Sequence, residues 1–409
     1  MAEVAHPLIV PLPRLLPPAG QLLRWTALHR LRSTWRGPHL ELVLPSGDVF
    51  TLGAGTQPAR ATIHDDRLFL RMLLRGEMGA GESFVAGEWD SEDIVAVTRA
   101  FVTGTGARGF ESPLTRLAQL PSLLRHRRAA NSKTGSERNI HAHYDLGNAF
   151  YELFLDPEAM SYSCGIFSTG ATSLAAAQHA KHERLCTLLE LAPTDHLLEI
   201  GCGWGGMAIH AAKTRGCRVT AITVSREQHE LAVARVAAAG LADRVSIQYL
   251  DYRDLEGQFG KIVSIEMLEA VGFEFMPAYF ATCARVLAPG GTMALQSITM
   301  PDDRFDAYRK RVDWMQTYIF PGSCIPSLAA IRGALPPSMS ITRADDIGPD
   351  YAPTLRAWRD AFLANLPAVH ALGFDEPFVR TWLLYLAFSE AAFAERTLGD
   401  HQIVLKTSR

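Results

Sequence analysis

A carboxylate followed by three alternate glycines stands at Glu199-Ile200-Gly201-Cys202-Gly203-Trp204-Gly205. Alternate glycines let a backbone pass close to a ligand where a Cβ would collide. An acid at the end of a buried strand can accept hydrogen bonds from a ligand amine or hydroxyl. The arrangement suits a nucleoside-bearing cofactor at the carboxyl edge of a parallel sheet, although dinucleotide sites use a related pattern and glycines can simply tighten a turn. The following strand separates the cofactors. A dinucleotide site prefers an acid there to hold ribose hydroxyls, whereas Thr223, Ser225 and Gln228 are neutral. After the next strand, Asp251 and Tyr252 are placed to meet an adenine. The pattern is that of an S-adenosylmethionine site, with Glu199 towards the methionine amine, Gly201, Gly203 and Gly205 beneath the sulfonium, and Thr223, Ser225 and Gln228 on the ribose. A second acid, Glu269, sits among Met267, Leu268, Ala270 and Val271, where an unpaired carboxylate would be costly.

These residues need elements to hold them. Apolar runs at 197–200, 218–224, 245–250, 262–265 and 293–298 alternate with helical stretches, which predicts an α/β, doubly wound, Rossmann-like sheet. Upstream, strand-like runs at 40–44 and 49–52 flank a Pro-Ser-Gly turn, and helical patterning follows at 66–75 and 91–102. The expected organisation is an α/β accessory, lipid-binding domain over 1–125, a basic linker over 126–138 and a catalytic domain over 139–409.

Composition narrows the function classes. The 409 residues suffice for two compact units, and a hydrophobic fraction of 48% is that of a globular chain. A net charge of −3 gives no global attraction to nucleic acid. The six cysteines form no C-x-x-C pair and no metal-ligand spacing, which favours reduced thiols and no metal. No run approaches the roughly 18 apolar residues of a spanning helix, and Pro7, Pro11, Pro13, Pro17 and Pro18 interrupt any secretory h-region. Two acid-free basic stretches interleave with apolar residues: Arg24, Arg30, Arg32 and Arg36 with Leu22, Trp25, Leu28, Leu31 and Trp35, and Arg116 to Arg128 with Leu114 to Leu124. Either stretch suits an anionic membrane surface or is the solvated face of an ordinary packed helix. The expected location is cytoplasmic, peripheral to the membrane.

Several further motifs occur in order: His143-Tyr144-Asp145-Leu146-Gly147-Asn148, Tyr162-Ser163-Cys164-Gly165, Tyr318-Ile319-Phe320-Pro321-Gly322 and Asp350-Tyr351-Ala352-Pro353. With Gly81-Glu82-Ser83-Phe84 and Gly87-Glu88-Trp89 upstream, the whole chain resembles the cyclopropane-fatty-acyl-phospholipid synthase family. The resemblance implies methylenation of a cis double bond in a phospholipid acyl chain. It also implies that Tyr162 and Ser163 sit near the methionyl end of the cofactor.

A weakly nucleophilic alkene must be held dry against the methyl sulfonium. The resulting carbocation would be steadied by aromatic faces, for which Tyr162, Phe167, Tyr318, Phe320 and Tyr351 are candidates. In the family a bicarbonate acts as base. By motif its cage here would comprise Cys164, Glu269, the Ile298 backbone and Tyr351, with Gln296 where the best-known bacterial pattern has histidine. Glu269-Ala270-Val271-Gly272 likewise replaces Glu-His-Val-Gly. Glutamine can donate to an anion but cannot carry charge or a proton. Similar patterns occur in relatives resembling plant cyclopropane synthases and in actinobacterial enzymes that make methylene- or methyl-branched acids. Proton loss from the new methyl would give the cyclopropane expected first; deprotonation of the chain is expected to give a methylene branch, which a separate reductase could saturate. A homodimer would present two basic surfaces to one bilayer. Two other readings remain, a methyltransferase for a soluble small molecule and a catalytically silent lipid-binding scaffold.

Overall fold

The computed structural model describes residues 17–104 and 146–408. The boundaries at 125 and 139, the linker at 126–138, the second basic stretch and His143-Tyr144-Asp145 all lie outside the described residues. The first basic stretch is a helix, Pro17–Thr34, followed by β1 (Pro38–Val43), β2 (Val49–Leu52) and β3 (Ala54–Ile63). The helices Arg67–Arg75 and Glu77–Val85 lead into β4 (Trp89–Asp90) and the helix Ile94–Gly104. The sheet order is β2-β1-β3-β4, with β1 and β3 parallel. Leu28 and Leu31 of the first helix, and Trp35 just after it, are buried in this layer, and Arg24 is tied to Asp66 at 2.7 Å. That stretch is therefore largely a packed helix. Only Leu22 and Trp25, each about two-thirds exposed, stand free of the core.

The second sheet contains β5 (His196–Ile200), β6 (Arg218–Thr223), β7 (Val245–Tyr249), β8 (Phe259–Ile265), β9 (Leu287–Thr299), β10 (Met339–Asp346) and β11 (Gly399–Thr407). Its order is β10-β11-β9-β8-β5-β6-β7, parallel from β9 through β7 and antiparallel at β11 and β10. The five expected strands are the parallel ones. The antiparallel pair has a function of its own, because its register aligns polar residues across the strand ends. Ile265 lies beside Gln296, Gln296 beside Gln402, and Ile298 beside Asp400. A slip of one residue would turn these side chains to the opposite face.

The helix Glu376–Ala394 belongs to both halves. Phe378, Trp382 and Tyr385 pack into the aromatic core that contains Phe150 and Trp358. Leu384 and Ala387 complete the core of the N-terminal layer. Arg380 crosses between them, donating to the carbonyls of Phe84 at 2.5 Å and Trp89 at 2.8 Å and pairing with Asp90 at 2.7 Å. Its guanidinium also lies over the Phe84 ring, 4.2 Å from the centroid. Removing Arg380 strands two backbone acceptors at a packed interface, so Arg380→Ala should cost about 2–4 kcal/mol of stability. Urea denaturation followed by circular dichroism checks this, and a loss under 0.5 kcal/mol (about that of a surface change) would contradict it.

Candidate active site

The glycine turn after β5 needs backbone geometry that side chains disfavour. Gly201 has φ +83°, and a Cβ there would meet Met267 Cγ at 2.8 Å. The turn opens onto a cavity of about 160 Å3 at the carboxyl ends of β5, β6 and β8. Tyr162, Ser163, Glu199, Gly201, Gly203, Thr223, Gln228, Asp251 and Tyr252 all line it. Gly205 and Ser225 do not. Gly205, at φ +81°, starts the helix Gly206–Arg215, and Ser225 caps Arg226–Ala238 by accepting from the Gln228 amide. Sequence position at a strand end was the same for these two residues, but the caps use them.

The cavity contains polar atoms with capacity to spare. Glu199 Oε2 and Tyr252 Oη are buried without a hydrogen-bond partner. Burial pushes the Glu199 carboxyl up to about 8, opposed by the Lys181 charge and a bond from the Ala208 amide. Trp204 is anchored by donating Nε1–H to Asn148 Oδ1 at 2.6 Å. These features fit a cofactor that brings an ammonium to Glu199 and a donor or acceptor to Tyr252.

Of the five residues expected to cage a bicarbonate, Cys164, Gln296 and Tyr351 converge on a carboxylate of the chain itself, Glu266, while Ile298 is bonded to the fifth, Glu269. Glu266 follows β8 with φ +48°, an uncommon backbone for a non-glycine residue. Its Oε1 accepts from the Cys164 amide at 2.8 Å and from Gln296 Nε2 at 2.9 Å, and its Oε2 from the Tyr351 hydroxyl at 2.6 Å. The remaining expected donor, the Ile298 amide, is given to Glu269 Oε1 at 2.5 Å, beside Ser297 Oγ at 2.9 Å. The donors are thus committed to the chain's own carboxyls, and a second anion would compete with Glu266 for them. A bicarbonate does not fit this arrangement. Cys164 contributes through its backbone. Its thiol donates to the Gly165 carbonyl at 3.2 Å, and burial, then Asp400 and Glu266, push it well above the ordinary thiol range.

The neighbouring groups hold Glu266 in place. Gln296 Oε1 accepts from Gln402 Nε2 at 2.9 Å, so the Gln296 amide must turn its Nε2 towards Glu266. Gln402 in turn accepts from Arg184, which pairs with Asp345 at 2.6 Å. Asp400 is fully buried, and burial followed by the Glu266 charge keeps its proton on well above the usual carboxylate range. Lys181, also fully buried, donates to Ser161 and to Ser163 at 2.7 Å, and burial lowers its ammonium to about 8.

A second cavity, about 670 Å3 and mostly apolar, runs from this cluster into the N-terminal layer. That volume lies in the ~300–1,000 Å3 range of small-molecule sites. Glu269, Ile298 and Tyr351 line it, as do Phe320, Tyr385 and Phe393; Leu42, Ala61 and Ile63 form part of its wall in the first sheet. Tyr162, Glu266 and Ala270 line both cavities and so mark where they meet. Two of the candidate aromatics lie elsewhere. Phe167 lines neither cavity, and Tyr318 donates to Glu82 at 2.5 Å, tying the two halves together.

Residues 131–403 match the family model described as mycolic acid cyclopropane synthetase. The chain belongs to this family. It is a lipid-modifying methyltransferase that uses S-adenosylmethionine. The chain is 40% identical over 396 residues to the tuberculostearic acid methyltransferase of Mycobacterium tuberculosis, covering 95% of this chain and 90% of that one. It is 35% identical over 356 residues to the cyclopropane-fatty-acyl-phospholipid synthase of Escherichia coli, covering 86% and 88%. A mycolic acid cyclopropane synthase solved with SAH and CTAB superposes with a TM-score of 0.60 at 28% identity, over 66% of this chain and 98% of that one.

Sequence reasoning missed Glu266, Lys181 and Asp400 in this methyltransferase. Glu266 carried a readable signal, an acid directly at the end of a parallel strand, which the family motif at Glu269 overshadowed. Lys181 is an ordinary helical lysine until folding buries it, and Asp400 depends on an antiparallel pairing that the sequence does not display.

Burial of the acids has a consequence for pH. Glu199 and Glu269 both titrate near about 8 in the fold, Glu269 through burial and then the Glu266 charge. The unfolded value is about 4.3. Between these values the folded methyltransferase binds more protons than the unfolded chain, so stability falls as pH rises. Glu269→Gln should therefore lose less stability than the wild type between pH 5 and 8, by on the order of 3 kcal/mol. Urea midpoints at the two pH values measure this; parallel losses in both proteins would refute it.

Proposed function

We propose that the protein methylates a cis double bond in the acyl chain of an unsaturated phospholipid, and that the product is a methylene-branched chain rather than the cyclopropane expected first. The observation that carries the reading is the junction at Tyr162, Glu266 and Ala270, where a cofactor-sized polar cavity opens into a long apolar one. A soluble polar substrate would gain nothing from that apolar wall. S-adenosylmethionine, when bound, supplies an electrophilic methyl group. Glu199 would take its ammonium, Gln228 and Thr223 would lie along its ribose, and Asp251 with Tyr252 would meet its adenine.

The chain's own residues supply the rest. The apolar walls exclude water from an intermediate that water would capture, and the faces of Tyr162, Phe320 and Tyr351 stabilise positive charge on carbon. Direct deprotonation of the chain, linked above to a methylene branch, in fact leaves a methyl-branched internal alkene. A methylene branch requires the adjacent hydrogen to shift first, placing the cation on the carbon that bears the methyl, which then loses the proton. The 40% identity to a tuberculostearic acid methyltransferase across nearly the whole chain supports this branch-forming course. A saturated methyl branch would then require a separate reductase.

Other features favour a phospholipid at a membrane surface. Arg304 and Arg311 line the apolar cavity beside Asp303. Leu22 and Trp25 are exposed on a helix that also carries Arg30 and Arg32. No helix among the described residues is long and apolar enough to cross a membrane, so contact would be peripheral.

Proton NMR of lipid recovered from mono-unsaturated phosphatidylglycerol vesicles, incubated with protein and S-adenosylmethionine, tests the proposal. Vinylidene signals are the expected result. Upfield ring-methylene signals would replace the proposed product with a cyclopropane, and unchanged lipid would overturn the substrate class. Cofactor affinity gives a second test. Glutamate 199 must be ionised to hold an ammonium, so wild-type affinity should strengthen as pH rises towards about 8. Calorimetry should show Glu199→Gln binding roughly tenfold more weakly at pH 8, without that dependence. An unaltered profile in the variant would remove Glu199 from the ammonium site.

A further inference from the structure

We infer that Glu266 is the resident general base of the reaction, a carboxylate built into the chain at the point where an exchangeable anion was expected. The inference rests on the proposed alkene methylation and adds to it the identity of the proton acceptor.

Geometry supports it at three points. Glu266 is one of the residues that line both cavities, so it stands where the methyl would pass from cofactor to chain. It holds the expected anion's donors, the Tyr351 hydroxyl and the Gln296 amide, together with the Cys164 N–H. Its surroundings also fix its direction. Gln402 orients Gln296, and the pairing of β9 with β11 sets Asp400 against the same group. Histidine at position 296 could share a charge or a proton with a bound anion; glutamine can only donate a hydrogen bond. The neutral residue at 296 and the acid at 266 therefore form one consistent set.

The two oxygens are not equivalent. Oε1 receives the Cys164 and Gln296 N–H groups and Oε2 the Tyr351 hydroxyl, and Asp400, which keeps its proton, also hydrogen-bonds the carboxylate. Oε2 receives neither of the two N–H donors and is assigned as the acceptor. The alkene π pair forms the new C–C bond to the methyl while the S–C bond breaks and leaves its electrons on sulfur. The cation migrates by hydride shift to the carbon bearing the methyl. A methyl C–H pair then closes the C=C bond, and the proton passes to Glu266 Oε2. One CH2 is gained by the lipid, and one proton returns to solvent when the cavity empties. No co-reactant is needed.

The experiment uses the full chain with S-adenosylmethionine and vesicles, prepared free of carbon dioxide and then with added bicarbonate or formate. Wild-type turnover should be unchanged, within twofold, by removing or adding either anion. Glu266→Gln and Glu266→Gly should each lose about a hundredfold or more in kcat. Anion should restore part of the Glu266→Gly activity, where space is vacated, and none of the Glu266→Gln activity. Calorimetric binding of S-adenosylhomocysteine must stay within a fewfold of wild type in both variants, which separates loss of the base from loss of folding.

A separate readout needs no turnover. Line broadening of 13C-bicarbonate by protein loaded with S-adenosylhomocysteine should be absent in the wild type and present in Glu266→Gly. Bicarbonate binding by the wild type, a requirement of the wild type for bicarbonate, or full kcat in Glu266→Gln would each overturn the proposal. Wild-type protein that leaves all lipids unchanged would fail the methylation reading instead, and the 13C measurement would still judge Glu266 as the anion's replacement.

Discussion

Several acids gathered at one sheet edge with little positive charge among them is the constraint that the rest of the structure satisfies. Glu199, Glu269 and Asp400 are buried, Glu266 is half-buried, and the cation enclosed with them is Lys181. A buried carboxylate is tolerated when it is protonated or surrounded by donors. The fold uses both solutions. Asp400 keeps its proton, and Glu266 and Glu269 collect backbone amides, hydroxyls and an amide side chain. The β8–β9 and β9–β11 registers are what place those donors together. The chemistry of the site is in this sense a property of strand alignment.

Much of the parallel half of the sheet was legible in the sequence, because a buried parallel strand announces itself as a short apolar run closed by a glycine or acid. Glu199 and the glycines followed from that pattern. The antiparallel strands β10 and β11 were not legible. Met339–Asp346 carries Arg343, Asp345 and Asp346, and Gly399–Thr407 alternates polar and apolar residues without a turn signal to place it. The cage was half legible. Motif matching found Cys164, Glu269, Gln296, Ile298 and Tyr351, yet assigned them to a guest. That Cys164, Gln296 and Tyr351 surround Glu266 could be seen only in the fold. Ser225 and Gly205 show the opposite error, since residues at a ligand edge can be consumed by helix caps.

The two cavities differ in what they ask of the protein. The smaller has unpaired polar atoms and a carboxyl, Glu199, that burial pushes up to about 8, which suits a charged ligand that arrives and leaves. The larger is walled by aliphatic and aromatic side chains from both sheets, which suits a ligand recognised by shape and dryness. Their meeting at Tyr162, Glu266 and Ala270 reconciles these demands over a short distance. Tyr162 is held there by its hydroxyl, 2.7 Å from that of Tyr385 on the helix shared by the two cores.

That shared helix bears on how such a protein diversifies. Leu42, Ala61 and Ile63 of the first sheet form part of the wall of the apolar cavity, while Glu266 and Glu269 line it from the second half of the chain. On the proposed reading, part of the reach into the lipid is encoded in a stretch of sequence separate from the carboxylates, joined to them through the shared helix and the Tyr318–Glu82 contact. Drift in the N-terminal layer can lengthen, shorten or bend the chamber without touching the carboxylates. On the proposed mechanism, drift at positions 266 and 296 would change the product without altering which chains enter. A lineage built on this plan can explore substrates and products along independent axes.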